Sequence, residues 1–274
     1  MPHSRAILLW VQFDGTDFAG FQRQADGIRS VGGALETAWL EKFGESVVMR
    51  SSSRTDAGVH AERMPVLVRT DVQIPARGAI LGLNAFLPPD VKVLTAEERP
   101  TEFDVRSDAV GKRYVYRVYA GVVKPPLLRR TVWLVRGKLD VAAMRQGAAH
   151  WVGIHDFRAF RSVHCSAQTT LRHMRAIDVD QVGEIVEITI DGNAFLHNMV
   201  RIMAGTLVGI GRHRFAPELA AQLLASGDRT HGGQTAPALG LTLQDVFFGP
   251  SGARQGTDYK QMLANMTAAR AEAT

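Results

Sequence analysis

The stretch "KRYVYRVY", residues 112 to 119, decides how the chain is read. In an extended conformation Tyr114, Tyr116 and Val118 point one way, and Arg113, Val115, Arg117 and Tyr119 the other. Aromatic and β-branched residues at that spacing predict a strand. Tyrosines on such a strand are ordinarily core packing. Interleaved with arginines, they also suit stacking of a base beside phosphate-binding cations.

Working outward, this strand opens a second run of elements that resembles the first hundred residues in order. The first run reads as a strand over 6–13 closed by Asp14-Gly15, a helix over 33–43, strands over 47–51 and 64–70, a helix over 75–86 and a strand over 91–94. After residue 119 come a strand over 132–135, a helix over 141–152, strands over 176–182 and 185–190, helices over 195–210 and 217–225, and a last strand over 241–248. This pattern predicts an α/β (α+β) fold of two units, each a mostly antiparallel sheet with helices on one face. The units are expected over 1–107 and 108–250, with the alanine-rich 251–274 a frayed helix or tail outside the core.

With 274 residues and 46% hydrophobic content, the chain can bury a sizeable core. The apolar run Ile7 to Val11 is too short for a signal peptide, and residues 195–211 are interrupted by His197, Asn198 and Arg201. No membrane association is expected. A single cysteine, Cys165, excludes an intrachain disulfide framework and makes the cytoplasm the default compartment. The net charge of +5 is modest but uneven: residues 105–138 hold nine basic residues against one acidic residue, Asp108. Such a run is either a solvated face or a surface for a polyanion, whose affinity would fall with salt.

Two further features stand out. In "SSSRTDAGVHA", residues 51 to 61, the lone carboxylate Asp56 follows a strand and precedes Ala57 and Gly58. Asp and Gly there make an ordinary strand-ending turn; the same small residues would let a sugar or phosphate approach the carboxylate. His60 beside it is read as a turn histidine before a general base, and Asp156 in "GIHDF" as a helix-start or loop-fixing residue before a second acid. In the helix expected over 195–210, apolar residues cover most of the circumference, yet His197, Arg201 and Gly205 recur at intervals of four. A guanidinium cannot shed its charge by losing a proton, so Arg201 must reach water or meet an anion. Either it snorkels to the surface or pairs with a structural carboxylate, or it faces Asp56 across an active-site floor.

Taken together, these features resemble the tRNA pseudouridine synthase A family. The hallmark run is Arg54 to Ala61, and "FDGTDFAGFQRQ" (13–24), "LPPDVKV" (87–93), "GKRYVYRVY" (111–119), "GIHDFRAF" (153–160), "FLHNMVRIMAGTLVGIG" (195–211) and "APALGLTL" (236–243) follow in family order. The resemblance implies a pseudouridine synthase fold, two ferredoxin-like halves around a central cleft. It implies a cytoplasmic homodimer that holds one tRNA across both subunits. The implied reaction isomerises uridines on the 3′ side of the anticodon stem-loop, tRNA positions 38 to 40, without metal or cofactor. By position, Asp56 would be catalytic, Arg54 would shape its loop, Tyr114 would stack on the base, Arg201 would pair with Asp56 and Leu241 would close over the base. Arg106, Phe21 and Gln22 would touch substrate. Ser53, Phe21, Gly32 and Asp104 depart from a glycine, a tryptophan, a glutamine and a histidine of the family pattern.

The chemistry agrees with these residue types. The rearrangement is redox-neutral and imports no atoms, and the histidines show no zinc spacing. In a dry cleft an adjacent guanidinium would keep the carboxylate ionised, while Ala57 and Gly58 leave room for ribose. A non-catalytic RNA binder would not need Asp56, Tyr114 and Arg201 together. An aspartate glycosidase would want a second carboxylate near Asp56, and none is evident in the sequence.

Overall fold

The computed structural model describes residues 4–249 apart from 26, 164 and 166, so the expected tail 251–274 lies outside the described residues. The first half runs β1 (Arg5–Phe13), α1 (Val31–Phe43), β2 (Arg50–Ser51), β3 (His60–Thr70), α2 (Ala76–Phe86) and β4 (Val91–Arg99). The second runs β5 (Ala109–Ala120), β6 (Trp133–Val135), α3 (Val141–Ala149), β7 (Gly153–Asp156), β8 (Leu171–Val182), β9 (Ile185–Gly192), α4 (Met199–Gly211), α5 (Leu219–Ser226) and β10 (Leu241–Phe248).

The strands form one ten-stranded sheet in the order β4-β1-β3-β10-β5-β9-β8-β7, with β2 on β3 and β6 on β5. The β10–β3 and β5–β6 pairs are parallel, and the other pairings among the described residues are antiparallel. This is the mixed α/β, mostly antiparallel fold expected. β10 joins the two halves: Thr242 and Leu243 pair with His60 and Ala61, while Leu241 and Leu243 pair with Tyr116 and Tyr114. Inserting the last strand there covers an edge of β3 and an edge of β5, whose backbone groups would otherwise lack partners.

β1 explains its own unbroken apolar run. Ile7, Leu9 and Val11 face the main core, while Ala6, Leu8 and Trp10 face a smaller cluster with Leu67 and Val105. A strand buried on both faces needs no polar alternation. In β5 the expected alternation holds, with Tyr114, Tyr116 and Val118 buried and Arg113, Arg117 and Tyr119 partly exposed. Val115 is buried as well, on the opposite face.

Several expected ranges shift, as in β8 from Leu171, β4 to Arg99 and β2 over Arg50–Ser51 alone, and two elements differ for a physical reason. β7 has no apolar alternation to reveal it and is held by pairing Gly153–Asp156 against Leu171–Met174 of β8. The helix expected from residue 195 begins at Met199, because Asn198 takes φ 63, a left-handed conformation that cannot continue a right-handed helix. Within α4 every residue except Arg201 is buried.

Candidate active site

The loop 52–59 lies at the seam where β10 meets β3. Its start is pinned by two cations: Arg106 Nε donates to the Ser51 carbonyl at 3.0 Å, and Lys112 Nζ to the Ser52 carbonyl at 2.8 Å. Behind it, the Phe21 amide donates to the Thr55 carbonyl at 3.2 Å, and the Gly58 amide to the Phe18 carbonyl at 3.3 Å. The loop closes through Val59 N–H on the Asp56 carbonyl at 3.2 Å, with Gly58 at φ 79. That left-handed turn favours glycine, and a Cβ there would lie 3.3 Å from the Ala238 side chain. Gly58 therefore serves the turn; Ala57, unlike Gly58, lines the cleft and leaves room there.

The Asp56 carboxylate is gripped from both oxygens. Arg201 Nη1 approaches Oδ2 at 3.3 Å, and His197 Nε2 approaches Oδ1 at 3.1 Å. Arg201 is fixed in turn, donating from Nη1 to Asn198 Oδ1 at 2.8 Å and from Nε to the Ala236 carbonyl at 2.8 Å. The segment carrying Ala236 can lie on α4 because residue 205 is glycine: a Cβ there would fall 1.8 Å from the Gln234 carbonyl oxygen. The Ala236 amide closes the arrangement by donating to the Arg201 carbonyl at 3.0 Å. Asn198 thus ends the preceding loop with its backbone and orients Arg201 with its side chain.

Above this floor stand Tyr114 and Leu241. Tyr114 meets Phe195 edge to face, with ring centroids 5.0 Å apart. Burial pushes its hydroxyl up to about 12, and the nearby Asp56 charge adds to this. The phenol is therefore neutral at physiological pH. Burial pushes the Lys112 ammonium down to about 8, and the charges of Arg106 and Arg172 act in the same direction. The whole forms a cleft of about 940 Å³, a size suited to a small-molecule or nucleotide moiety.

The matching family model is that of tRNA pseudouridine synthase, over residues 148–249. A tRNA pseudouridine synthase A of Pelobacter propionicus is 46% identical over 244 residues, covering 89% of this chain and 100% of that protein. The chain belongs to the tRNA pseudouridine synthase A family. It is accordingly an isomerase. The family's enzymes from Geotalea daltonii, 43% identical over 89% of this chain and 100% of that protein, and Myxococcus xanthus, 42% over 88% and 91%, are similar along the same length. Among solved structures, a Cbf5-Nop10-Gar1 complex aligns with TM-score 0.33 and 13% identity, covering 74% of this chain and 45% of that chain, too loose a likeness to bear on the fold.

Within this family member, Asp56, Arg201, Tyr114, Leu241, Arg54, Gln22 and Arg106 converge on the one cleft, as the sequence reading brings them together. Phe21 does not: it is 3% exposed and lines a neighbouring cavity instead. Arg54 does not shape its loop through hydrogen bonds, since its exposed side chain makes none among the described residues; the loop is held by backbone and by Arg106 and Lys112. Nor is the cleft dry, because the Asp56 side chain is 25% exposed.

For His197 the sequence offers no sign beyond its spacing from Arg201. It reaches Asp56 from the loop before α4 rather than from a helical stripe, so the interval of four was a true signal with a different geometric cause. His60 is structural: buried, its Nδ1 accepts from the Gly15 amide at 3.1 Å, and its Nε2 donates to the Arg130 carbonyl at 2.9 Å. Asp156 fixes its loop, accepting from the Arg158 amide and side chain and from the Thr170 hydroxyl. Among the described residues no three His, Cys, Asp or Glu side chains cluster to hold a metal ion, and no helix is long and apolar enough to cross a membrane.

Proposed function

We propose that this cleft converts uridine to pseudouridine on the 3′ side of the tRNA anticodon stem-loop, tRNA positions 38 to 40, with Asp56 as the catalytic carboxylate. The observation that carries the reading is a single carboxylate held between a guanidinium and an imidazole on the floor of a nucleotide-sized cleft walled by Tyr114 and Leu241.

The reaction breaks the bond from N1 of the base to C1′, turns the base, and joins C5 to C1′; C5 then gives up its proton and N1 ends protonated, so no atom is imported. A base stacked in a stem is out of reach, so the nucleotide flips into the cleft at a cost of roughly a few kcal/mol. Tyr114 and Leu241 offset part of that cost by packing on the base. Asp56 acts as the anion, as nucleophile or as base toward the C2′ proton, and Arg201 and His197 hold it in one orientation. Its anchoring on Asn198 and Ala236 keeps Arg201 in place while the base turns. The working unit in this reading is a cytoplasmic homodimer, as family membership suggests, with tRNA as its partner.

The test is direct. Unmodified tRNA transcripts are incubated with the protein, and pseudouridine is mapped by chemical labelling and primer extension. Signal confined to the 3′ side of the anticodon stem-loop is the expected result; signal elsewhere, or none, contradicts the assignment.

A further inference from the structure

A second cavity of about 670 Å³ adjoins the cleft. Arg54, Arg106 and Gln22 line both, while Phe21, Arg50 and Asp104 line the side cavity alone. Among the described residues, the side chains of Arg50 and Arg54 make no hydrogen bond or ion pair, and the side chain of Arg106 makes one, through Nε to the Ser51 carbonyl. Its two Nη groups are left over. The carboxylates of the cavity are engaged elsewhere: Glu36 accepts from the Met49 amide and from Arg23, and Asp104 Oδ1 from Arg106 N–H, Ser107 N–H and the Ser107 hydroxyl. Burial holds the Arg106 guanidinium below its usual range, and the charges of Arg54 and Arg50 add to the effect, only partly countered by Asp104. Three guanidiniums that cannot lose their charge thus converge on one concavity, where Asp104 counters them only in part.

We infer that the side cavity is a phosphodiester clamp, in which Arg50 and the free Nη groups of Arg106 grip a backbone phosphate next to the flipped uridine. This rests on the reading of the main cleft as a tRNA site. A planar guanidinium meets two phosphate oxygens at once, so two of them facing one pocket fix the strand's position as well as its charge.

The test pairs Arg50→Ala with stem-loop RNAs in which single phosphates around the target uridine are replaced by neutral methylphosphonates. Arg50→Ala is expected to weaken binding about tenfold, to lower the slope of log affinity against log salt by about 0.7 to 0.9, and to leave the rate at saturating RNA within about twofold. Arg50→Lys restores charge but only part of the affinity. One neutral linkage beside the target should cost the wild-type protein at least the same tenfold and cost Arg50→Ala clearly less, the remainder being the contact that Arg106 still makes. Losses that add at every linkage, or an unchanged salt slope, overturn the clamp. If the wild-type protein forms no pseudouridine on any transcript, the function itself is wrong; if it forms product and the losses add, the clamp alone is.

Discussion

Arg201 and Arg54 border the same cleft in opposite states. Arg201 is 18% exposed and bonded to Asp56, Asn198 and Ala236. Arg54 is exposed and unpaired among the described residues, with Arg50 and Arg106 nearby. A guanidinium tied to three partners through Nε and Nη1 holds its carboxylate in one place. One without partners keeps its charge available to a polyanion arriving from solution. The difference separates a floor that orients a carboxylate from a rim that collects RNA.

Among variants that leave Asp56 in place, the largest effect should fall on Arg201→Ala. Turnover should drop by about a hundredfold or more, and chemical unfolding should show a loss on the order of 2 kcal/mol, because a partly buried carboxylate loses its main partner. Full activity with unchanged stability would break the comparison at its first point. Gly205→Ala comes next: its methyl group would press on the Gln234 carbonyl and shift Ala236 away from Arg201. Unfolding midpoints should report about 1 to 3 kcal/mol of destabilisation, with turnover reduced more than tRNA affinity.

Arg54→Ala should act on the other side of the comparison. Filter binding across a salt series should show weaker binding and a slope reduced by about 0.7 to 0.9, with the protein's stability unchanged. A smaller effect concerns Lys112. Its folded value of about 8 lies below the usual 10.5, so between those values the unfolded chain holds more protons and this group's contribution to stability rises with pH. Urea unfolding at about pH 7.5 and about pH 9.5 should show the wild-type protein gaining relative to Lys112→Met as the pH increases. A constant difference would mean that the ammonium is better solvated than its packing implies.

Much of this is legible in the sequence. Strand alternation in 112–119 and the apolar runs of β1 and β3 follow from side-chain period, which sequence displays directly. The pairing of Arg201 with Asp56, 145 residues apart, was legible because a permanent charge in an apolar helix must reach water or meet an anion, and the family resemblance singled out Asp56. What stayed hidden depends on backbone geometry or on partners. The left-handed Asn198 cannot be told from a helical asparagine by composition, so α4 was read too long. β7 exists through β8, and the insertion of β10 between β3 and β5 requires knowing which edges are open. His197 went unassigned for the same reason, since its loop conformation brings it to the carboxylate.

The most direct measurement compares wild-type protein and Asp56→Asn on one unmodified tRNA transcript, reading bound fraction and pseudouridine formed in parallel. The floor-and-rim account expects affinity within about twofold and product reduced by about a thousandfold or more, because the rim cations are untouched and the carboxylate is gone. Product formed at the wild-type rate, or binding lost together with turnover, would contradict it.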